Sequence, residues 1–380
     1  MKKVIVLGAG LVGGPMALDL AADFNVTSID VSTDALAALM AQDNRIHTHQ
    51  ADLSDPSTVT TLVNQFDFVI NAVPGFMGFQ TLEAIIRTGK SVVDIAFFPE
   101  DPFQLDELAK QHGVTAIMDC GVAPGMSNIL VAHGDRLLDK SESALIYVGG
   151  LPEIRQWPFE YKAVFSPVDV IEEYTRPARY VEHGQLVVRP ALSDPEYLNF
   201  PGIGTLEAFN SDGLRSLINT LKIPNMKEKT LRYPGHIEKM AVLRETGFFS
   251  LEPIDVNGVQ IRPLDVTAKL MFPIWEMKPG EHDLTVMQVR VDGQKAGRAY
   301  RYEWNLLDRF NTETGVHSMA RTTGYTATVA LRMIANGLFK RIGVSAPEHI
   351  AEQPDCVEFM LAGLKERGVV YIENHGIRAN

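Results

Sequence analysis

Three glycines close to the N-terminus form the pattern with the clearest chemical meaning in this sequence. Gly8, Gly10 and Gly13 directly follow the apolar run Val4–Leu7, and the helical pattern of Met16–Ala21 comes next. A glycine turn between a strand and a helix can bind a dinucleotide, because the second glycine leaves room for the pyrophosphate and the helix N-terminus faces it. The spacing therefore predicts a dinucleotide-binding turn.

An aspartate at the end of the second apolar run indicates which dinucleotide would bind. Asp30 lies twenty residues after Gly10. A carboxylate at this position accepts hydrogen bonds from the adenosine ribose hydroxyls and repels a 2′-phosphate. Val31 and Ser32 follow it and supply no cation that could hold such a phosphate. We expect NAD rather than NADP as the coenzyme.

The residues that follow the other apolar runs are further candidates, because ligands bind at the carboxyl ends of parallel strands. The expected coenzyme contacts beyond the glycines and Asp30 are Leu11, Val12, Asp52, Leu53, Ala72, Val73, Pro74 and Ala96. Asp94 and Asp119 end two more runs, nearest the expected position of the reacting ring. Each carboxylate is a candidate catalytic group, and each is equally well explained as a turn or helix cap. Cys120 has no evident activating base, so packing along the pocket is its expected role.

Six short apolar runs, separated by helical patterns, predict the elements that would position these residues. The predicted strands are Val4–Leu7, Val26–Asp30, Ile46–Gln50, Phe68–Ala72, Ser91–Ile95 and Thr115–Asp119. Leu36–Gln42 and Leu105–Gln111 are two of the helical patterns between them. This alternation is typical of α/β proteins and predicts a Rossmann domain, a doubly wound parallel sheet, over residues 1–122.

After Pro124 the pattern changes to longer β-rich stretches. Val181–Gln185 and Val291–Gln294 each contain a hairpin signal. We expect an α+β domain with a mostly antiparallel sheet over residues 123–317, for substrate binding and dimerisation. From Ser318 the apolar spacing predicts a helix that ends near Gly337, and segment 318–380 is expected to pack on the first domain.

Composition excludes several classes of protein. The 380 residues include 35 basic and 47 acidic side chains, a net charge of −12, which argues against a nucleic-acid partner. No run reaches the ~18 apolar residues of a membrane span, and two cysteines are too few for a disulfide framework, so a cytoplasmic protein without a membrane partner is expected. His47 and His49 have no third ligand nearby, and no metal is expected.

Several blocks of residues resemble the saccharopine dehydrogenase-like family over nearly the whole chain. The first is Gly121–Asn128, a glycine and proline turn that opens a helix. Others are Phe165–Pro167, Glu172–Tyr174, Pro177–Arg179, Ser211–Leu214, Lys229–His236, Ala320–Tyr325, Gly343–Val344 and Pro347–Glu348. These middle and late blocks look most like the branch that contains lysine 6-dehydrogenase. One departure is Ala123, where relatives that form or cleave saccharopine usually carry an acidic residue; its loss fits a smaller amine substrate.

The resemblance implies oxidative deamination of the ε-amine of L-lysine by NAD. The products would be NADH, ammonia and allysine, which cyclises to a piperideine carboxylate. Arginine suits the substrate carboxylate, and Arg155 and Arg232 are favoured over Arg179 and Arg244, although a surface salt bridge would explain any one of them. Asp119 would stabilise the developing iminium, and Cys120 would line the pocket.

His236 follows Pro234–Gly235 in a predicted turn and would titrate near neutral pH, unless a backbone hydrogen bond fixes it. Together with Asp119 and Asp94 it is a candidate for proton transfer or electrostatic catalysis. Further candidates for proton transfer are Glu153, Tyr161, Lys162 and Tyr174.

Other functions remain open from the sequence. Saccharopine or carboxynorspermidine dehydrogenase would need room and cations for another carboxylate, and a regulator that binds NAD without chemistry would need no acid–base groups. We also expect a homodimer or larger homo-oligomer, because the β-rich runs Leu284–Val291 and Ala299–Asn305 could leave a sheet edge or face for another copy to cover.

Overall fold

A computed structural model describes residues 1–164 and 166–378 of the chain. Phe165, part of one block of the resemblance, and Ala379 and Asn380, at the end of the predicted C-terminal segment, lie outside the described residues. The described strands are β1 (Lys3–Leu7), β2 (Asn25–Asp30), β3 (His47–Gln50), β4 (Phe68–Asn71), β5 (Ser91–Asp94), β6 (Thr115–Ile117), β7 (Lys140–Pro152), β8 (Ala178–Glu182), β9 (Gln185–Arg189), β10 (Glu196–Phe200), β11 (Gly204–Asn210), β12 (Met226–Arg232), β13 (Ile254–Val256), β14 (Val259–Ile261), β15 (Asp283–Lys295), β16 (Arg298–Arg309), β17 (Gly343–Ser345) and β18 (Tyr371–Ile377).

The described α-helices are α1 (Gly13–Leu20), α2 (Thr33–Gln42), α3 (Pro56–Val63), α4 (Gly75–Arg87), α5 (Asp106–Gln111), α6 (Met126–Leu137), α7 (Pro167–Thr175), α8 (Leu217–Thr220), α9 (His236–Glu245), α10 (Pro263–Trp275), α11 (Ser318–Ala335) and α12 (Pro354–Glu366). Short 3-10 helices lie at Pro102–Leu105 and Pro347–Glu352. None of the helices in the described ranges combines the length and apolar composition needed to cross a membrane.

The chain forms two compact units. Unit 1 comprises Met1–Arg136 and Ala320–Tyr371, and unit 2 comprises Leu137–Met319 together with the residues from Ile372 onward. The first boundary falls after helix α6 rather than after residue 122, where the sequence analysis placed it. The C-terminal segment is also divided, because most of strand β18 belongs to unit 2 rather than to a helical segment of residues 318–380.

Unit 1 contains a parallel sheet in the order β17-β6-β5-β4-β1-β2-β3. β1 pairs with β2 on one side and β4 on the other, so the strand order reverses at β1. Val4–Leu7 is completely buried because helices cover both faces of the sheet. The predicted Rossmann sheet and its six strands are confirmed, with strand ends shifted by one or two residues.

The C-terminal part of unit 1 completes this sheet. Strand β17 adds a seventh parallel strand beside β6, with Gly343 opposite Thr115. Helix α11 begins at Ser318, as predicted. Arg332 on α11 binds Asp19 of α1 at 2.6 Å, and Arg367 binds the other oxygen of the same carboxylate at 2.7 Å. These ion pairs connect α1 to the C-terminal helices.

Unit 2 contains a nine-stranded sheet with the order β10-β11-β12-β7-β15-β16-β18, and β8 and β9 extend from β12. β12 pairs with β7 in parallel, whereas β10–β11, β11–β12, β7–β15 and β15–β16 are antiparallel, so the expected mostly antiparallel sheet is confirmed. One core cluster gathers Tyr161, Tyr174, Phe209 and Trp275 with residues of α7, α9 and α10. Helices thus cover one face of this sheet.

One of the two predicted hairpins is correct and the other is wrong. His183 and Gly184, both with positive φ, turn the chain between β8 and β9 as expected. Asp292–Gly293 lies inside strand β15, where the register against β7 shifts at a bulge. The real turn is Ala296–Gly297, between β15 and β16. An Asp-Gly pair that accommodates a bulge has the same local sequence as one that makes a turn.

The sheet edges also differ from the expectation. The runs Leu284–Val291 and Ala299–Asn305 lie in β15 and β16, which have neighbours on both sides. The main path instead ends at β10 and β18. Strands β15 and β16 therefore offer no open edge to the expected second copy, and of the two alternatives only a sheet face is left.

Candidate functional site

The glycine turn of unit 1 has the geometry that a dinucleotide pyrophosphate requires. A Cβ on Gly13 would lie 2.1 Å from the carbonyl oxygen of Gly8, and one on Gly8 would lie 2.6 Å from the carbonyl oxygen of Ala72. Both positions therefore need glycine for close backbone packing. No atom of the described residues lies within 4 Å of a Cβ on Gly10, which is exposed. The space beside Gly10 fits a ligand that approaches the backbone.

Asp30 is held beside this turn by two backbone amides. Ala9 N donates to its Oδ2 at 2.7 Å, and Ser32 N donates to its Oδ1 at 2.8 Å. The Ser32 side chain in turn accepts from Ala35 N and caps helix α2. The carboxylate is thus fixed at the end of β2, partly exposed, and its bond from Ala9 N places it beside the turn that contains Gly10. This local arrangement is the one that the sequence predicted.

The other predicted coenzyme residues differ in accessibility. Leu11, Asp52 and Pro74 are exposed, Val12 and Ala72 are half-buried, and Leu53, Val73 and Ala96 are buried. Hydrogen bonds from Ser54 lower the pKa of the exposed Asp52 carboxyl. Ala72–Pro74 leads from β4 into helix α4, so its backbone lies at the sheet edge that carries the glycine turn. The three buried side chains belong to the hydrophobic core of unit 1.

Asp94 joins the ends of two strands. Its Oδ2 accepts from Asn71 Nδ2 at 2.5 Å and its Oδ1 accepts from Ala96 N at 2.7 Å. Both Asp94 and Asn71 are fully buried. Within the described residues, the Oδ1 atom of Asn71 has no hydrogen-bond partner. These contacts agree with the capping role for Asp94 and place an unsatisfied polar atom next to it.

Asp119 and Cys120 follow strand β6 and lead into the turn Gly121–Gly125. Asp119 has φ of 51°, and both residues are buried. Burial and the nearby charges of Asp119 and Asp94 raise the pKa of the Cys120 thiol, so it is not activated as a nucleophile. A Cβ on Gly125 would lie 1.9 Å from Gly121 O, which explains the glycine there. Ala123 is partly exposed in this turn.

Unit 2 contains a buried polar cluster, which we define as Glu173, Tyr174, Glu228, Arg232 and His236. Arg232 Nε donates to Tyr174 Oη at 3.1 Å, and Arg232 Nη2 donates to Glu173. Tyr174 Oη lies 2.9 Å from His236 Nε2. Burial alone would lower the pKa of the Arg232 guanidinium, but Tyr174 and Glu173 raise it above its usual range.

The hydrogen bonds of this cluster determine the protonation state of His236. Its Nδ1 lies 2.7 Å from the carbonyl oxygen of Phe159, which can only accept. Nδ1 therefore carries the hydrogen, and Nε2 accepts from the Tyr174 hydroxyl. Burial and the charge of Arg232 lower the pKa of His236 to about 3. Burial is the main cause, and the bond to Phe159 O is the backbone hydrogen bond that the sequence analysis gave as the alternative, so the structure supports this alternative over titration near neutral pH.

Glu228 is the titratable group of the cluster that the sequence analysis missed. It lies on the same face of β12 as Arg232, since side chains four residues apart on a strand point the same way. Glu228 Oε2 accepts from Ser211 Oγ at 2.7 Å and from Gly213 N at 3.0 Å. Burial raises the pKa of Glu228 to about 7, against the effect of the Ser211 hydrogen bond.

The two predicted substrate arginines have different surroundings. Arg232 is 2% exposed within the cluster. Arg155 is about half-exposed, pairs with Glu160 at 3.2 Å and lies over the ring of Tyr233. Arg155 thus has the surface ion pair that was its alternative explanation. Residues two or four apart on a strand lie on the same face, so the alternation along Glu228–Arg232 could have indicated from the sequence that Glu228 lies beside Arg232.

Two family models match this chain. Residues 4–117 match the saccharopine dehydrogenase NADP binding domain, and residues 121–369 match the saccharopine dehydrogenase C-terminal domain. The chain belongs to the saccharopine dehydrogenase family. The first match indicates a nicotinamide dinucleotide as the class of coenzyme, and the family membership agrees with the resemblance found in the sequence.

Curated relatives share about a quarter of their residues with the chain. Saccharopine dehydrogenase (NADP+, L-glutamate-forming) of Schizosaccharomyces pombe is 23% identical over 91% of this chain and 94% of its own length. Carboxyaminopropylagmatine dehydrogenase of Synechocystis is 24% identical over 98% of both. The mouse alpha-aminoadipic semialdehyde synthase is 26% identical over 69% of this chain, which spans only 30% of the mouse protein.

A solved structure has the same fold. The apo saccharopine dehydrogenase of Saccharomyces cerevisiae superposes with a TM-score of 0.80 and 20% sequence identity, over 99% of this chain and 100% of that one. At this identity the likeness concerns the fold. It confirms the predicted combination of a Rossmann sheet with a second, largely antiparallel domain.

Proposed function

We propose that the protein is an NAD-dependent dehydrogenase that deaminates the ε-carbon of L-lysine. The observation that carries this proposal is the open space beside Gly10, next to the fixed carboxylate of Asp30. Family membership supports an oxidoreductase of amines or amino acids. Ala123 in the turn after β6 supports a substrate smaller than saccharopine, according to the resemblance found in the sequence.

The preference for NAD rests on the charges near the ribose position. The family model and the yeast relatives carry NADP in their names. In this chain Asp30 would repel a 2′-phosphate, and the helix that follows begins with Thr33 and Asp34. Arg45 is bound to Asp43 by three hydrogen bonds of 2.6 to 3.1 Å. These side chains offer hydrogen-bond acceptors to a ribose and no free cation to a phosphate.

The proposed reaction balances as an oxidation followed by hydrolysis. The ε-carbon loses a hydride and the ε-nitrogen loses a proton, which leaves an imine, NADH and a proton. Water then adds to the imine carbon and ammonia leaves, so the product is the aldehyde. Nicotinamide, when bound, supplies the hydride acceptor. The residues of the chain must exclude bulk water, orient the amine and accept its proton.

We assign the following tasks to side chains. Asp119 would stabilise the positive charge of the developing iminium, since it follows strand β6 at its carboxyl end, the ligand-binding edge of the sheet. Arg232 would bind the substrate carboxylate, for which Glu173 must release one edge of the guanidinium. Glu228, with its pKa of about 7, is suited to holding a proton near neutral pH. His236 would orient Tyr174 and Arg232 as a neutral ring.

The first experiment follows the absorbance of the reduced nicotinamide that forms when purified protein is mixed with substrate and coenzyme. L-lysine, saccharopine, ornithine and carboxyaminopropylagmatine are tested with NAD and with NADP. Turnover with L-lysine and NAD, together with release of ammonia, is the expected result. Turnover only with saccharopine or carboxyaminopropylagmatine would show that the substrate is larger than lysine. Coenzyme binding without turnover on any of them would support a regulator.

A second experiment tests the coenzyme preference without any substrate. Fluorescence titration compares NADH and NADPH binding to the wild type and to Asp30→Asn. Loss of the charged acceptor costs about 1.5–3 kcal/mol, so NADH affinity should fall about tenfold to a hundredfold. NADPH affinity should stay unchanged or rise. Asp355→Asn, at an exposed aspartate in the first turn of α12, is the matched control and should change neither affinity. Tighter binding of NADPH than of NADH by the wild type would refute the preference.

A further inference from the structure

Strands β13 and β14 form an isolated hairpin with one apolar face. Ile254 pairs with Ile261 and Val256 with Val259, so these four side chains lie on the same face. The opposite face carries the pair Asp255 and Gln260. The hairpin belongs to neither of the large sheets. An isolated two-stranded hairpin is at most marginally stable in water, and an apolar face needs a partner.

The apolar face of this hairpin is left exposed by the rest of the chain. Ile254, Val256 and Val259 are between 41% and 58% exposed. The hairpin projects from a closed base, because Leu264 N donates to Ser250 O at 3.1 Å on either side of it. It therefore forms a short arm whose apolar face is open to a binding partner.

An apolar groove lies in the same unit, between helices α9 and α10. Its cavity of about 460 Å³ is lined by Phe159, Val242, Phe248, Val266, Leu270 and Met271 among others. Val242, Phe248, Val266 and Leu270 are also 46% to 66% exposed at its mouth. Thr267 Oγ1 donates to Phe248 O at 2.8 Å and so connects the groove to the base of the hairpin arm.

The size of this apolar surface matches a protein interface. The hairpin arm and the groove, with Leu251 and Ile274, contain nine large apolar side chains that are 41% to 66% exposed. Summed over the nine side chains, the exposed area is of the same order as one partner's share of a standard interface, about 800 Å². A surface of this size would be costly to leave in water.

The charges around the patch favour a second copy of the same chain as the partner. Glu238 and Lys239 lie on α9, and Asp265 and Lys269 lie on α10. Arg244, Glu245 and Asp255 add further charges of both signs, and Arg262 already pairs with Asp265 at 2.8 Å. Because both signs are present, a copy related by a two-fold axis can place unlike charges opposite each other. A membrane surface would require a rim rich in Lys and Arg.

We propose that the hairpin arm of one copy packs into the α9–α10 groove of a second copy, and that the second copy does the same in return. A two-fold interface requires a self-complementary surface, and an arm next to a groove on each copy meets that condition. The partner is a second copy of this chain. This interface is independent of the proposed reaction and moves the expected dimer contact from strands β15 and β16 to the arm and the groove.

The test measures the mass of the full-length protein by light scattering and sedimentation over a micromolar concentration series. The wild type should have twice the mass of the 42.0 kDa chain. Leu270→Glu in the groove and Val259→Glu on the arm should each raise the dimer dissociation constant at least about tenfold, because each places a carboxylate in the interface. Leu186→Glu, at an exposed leucine of β9, is the matched control and should leave the mass unchanged.

A cross-linking variant keeps the proposal testable if a glutamate variant unfolds. Val259→Cys and Leu270→Cys are combined in one chain, since Cys120 and Cys356 are buried. Oxidation should produce a disulfide-linked dimer that runs at twice the chain mass under denaturing conditions. A monomeric wild type, dissociation by Leu186→Glu to the same extent, or a dimer that persists in both interface variants would overturn the proposal. Binding of a monomer to anionic vesicles would do so as well.

Discussion

Replacing Glu228 by glutamine should stabilise the protein by an amount that depends on pH. Burial raises the pKa of Glu228 from 4.5 to about 7 in the folded state. Between these values the folded protein holds a proton that the unfolded chain has lost. The contribution of Glu228 to the free energy of unfolding is therefore fully present below about pH 4.5 and is lost as the pH rises to about 7, by about 1.4 kcal/mol per pH unit. The total is about 3 kcal/mol.

Glutamine cannot titrate, so Glu228→Gln removes this loss while its amide oxygen can still accept from Ser211 and Gly213. The free energy of unfolding is measured by urea denaturation at about pH 5, 6, 7 and 8. The difference in the free energy of unfolding between variant and wild type should grow by roughly 2 kcal/mol from pH 5 to 7 and by only a few tenths of a kcal/mol more above pH 7. Glu252→Gln, at an exposed glutamate of the same unit, is the control. A difference that does not change with pH would show that Glu228 is not a buried titrating acid.

Three further predictions concern the glycine turn and the polar cluster. Gly13→Ala should destabilise the fold by more than about 2 kcal/mol, because its Cβ would lie 2.1 Å from a carbonyl oxygen. Gly10→Ala should leave the melting temperature unchanged and weaken NADH binding at least about tenfold. Equal melting temperatures of the two variants would contradict this prediction. His236→Gln should gain stability relative to the wild type as the pH falls below about 6.5, because the unfolded wild type takes up a proton there that the folded protein does not bind. A difference between the two proteins that does not change with pH in urea denaturation would count against the assignment. Tyr174→Phe leaves the Arg232 Nε donor unpaired and should cost about 1–3 kcal/mol, with failure shown by unaltered urea unfolding.

The parts of the fold that the sequence predicted depend on local patterns. Strands β1 to β6 each combine a short apolar run with a glycine or polar break, and their bounds agree within two residues. Strand β17 has three residues, Gly343–Ser345, and pairs with a strand more than two hundred residues earlier. No local pattern of that length can be distinguished from a loop. The Asp292–Gly293 bulge was misread for a related reason, since only the partner strand shows that no turn occurs there.

In the candidate site, too, only the features with a local sequence pattern could be predicted. Gly10 and Asp30 could be identified because the turn, the strand end and the helix cap are all encoded within one βαβ unit. The state of His236 could not, because its pKa depends on Arg232 and on a carbonyl from Phe159, seventy-seven residues away. The residue type limits the chemistry that a side chain can perform, and its neighbours in the fold determine its protonation state and its hydrogen bonds.

The two buried titrating groups of the cluster act on stability in opposite directions. As the pH falls from about 6.5 to 4.5, the neutral His236 weakens the fold because the unfolded chain gains its proton. Over the same range Glu228 strengthens the fold, because the folded protein binds a proton at Glu228 that the unfolded chain does not yet bind. Each term amounts to about 1.4 kcal/mol per pH unit, so they nearly cancel. The free energy of unfolding of the wild type should therefore depend only weakly on pH in this range, because the two effects offset each other. The double variant His236→Gln/Glu228→Gln should have the same weak dependence on pH. If instead the double variant differed strongly from the wild type across this range, the two residues could not be titrating as the geometry of the cluster requires.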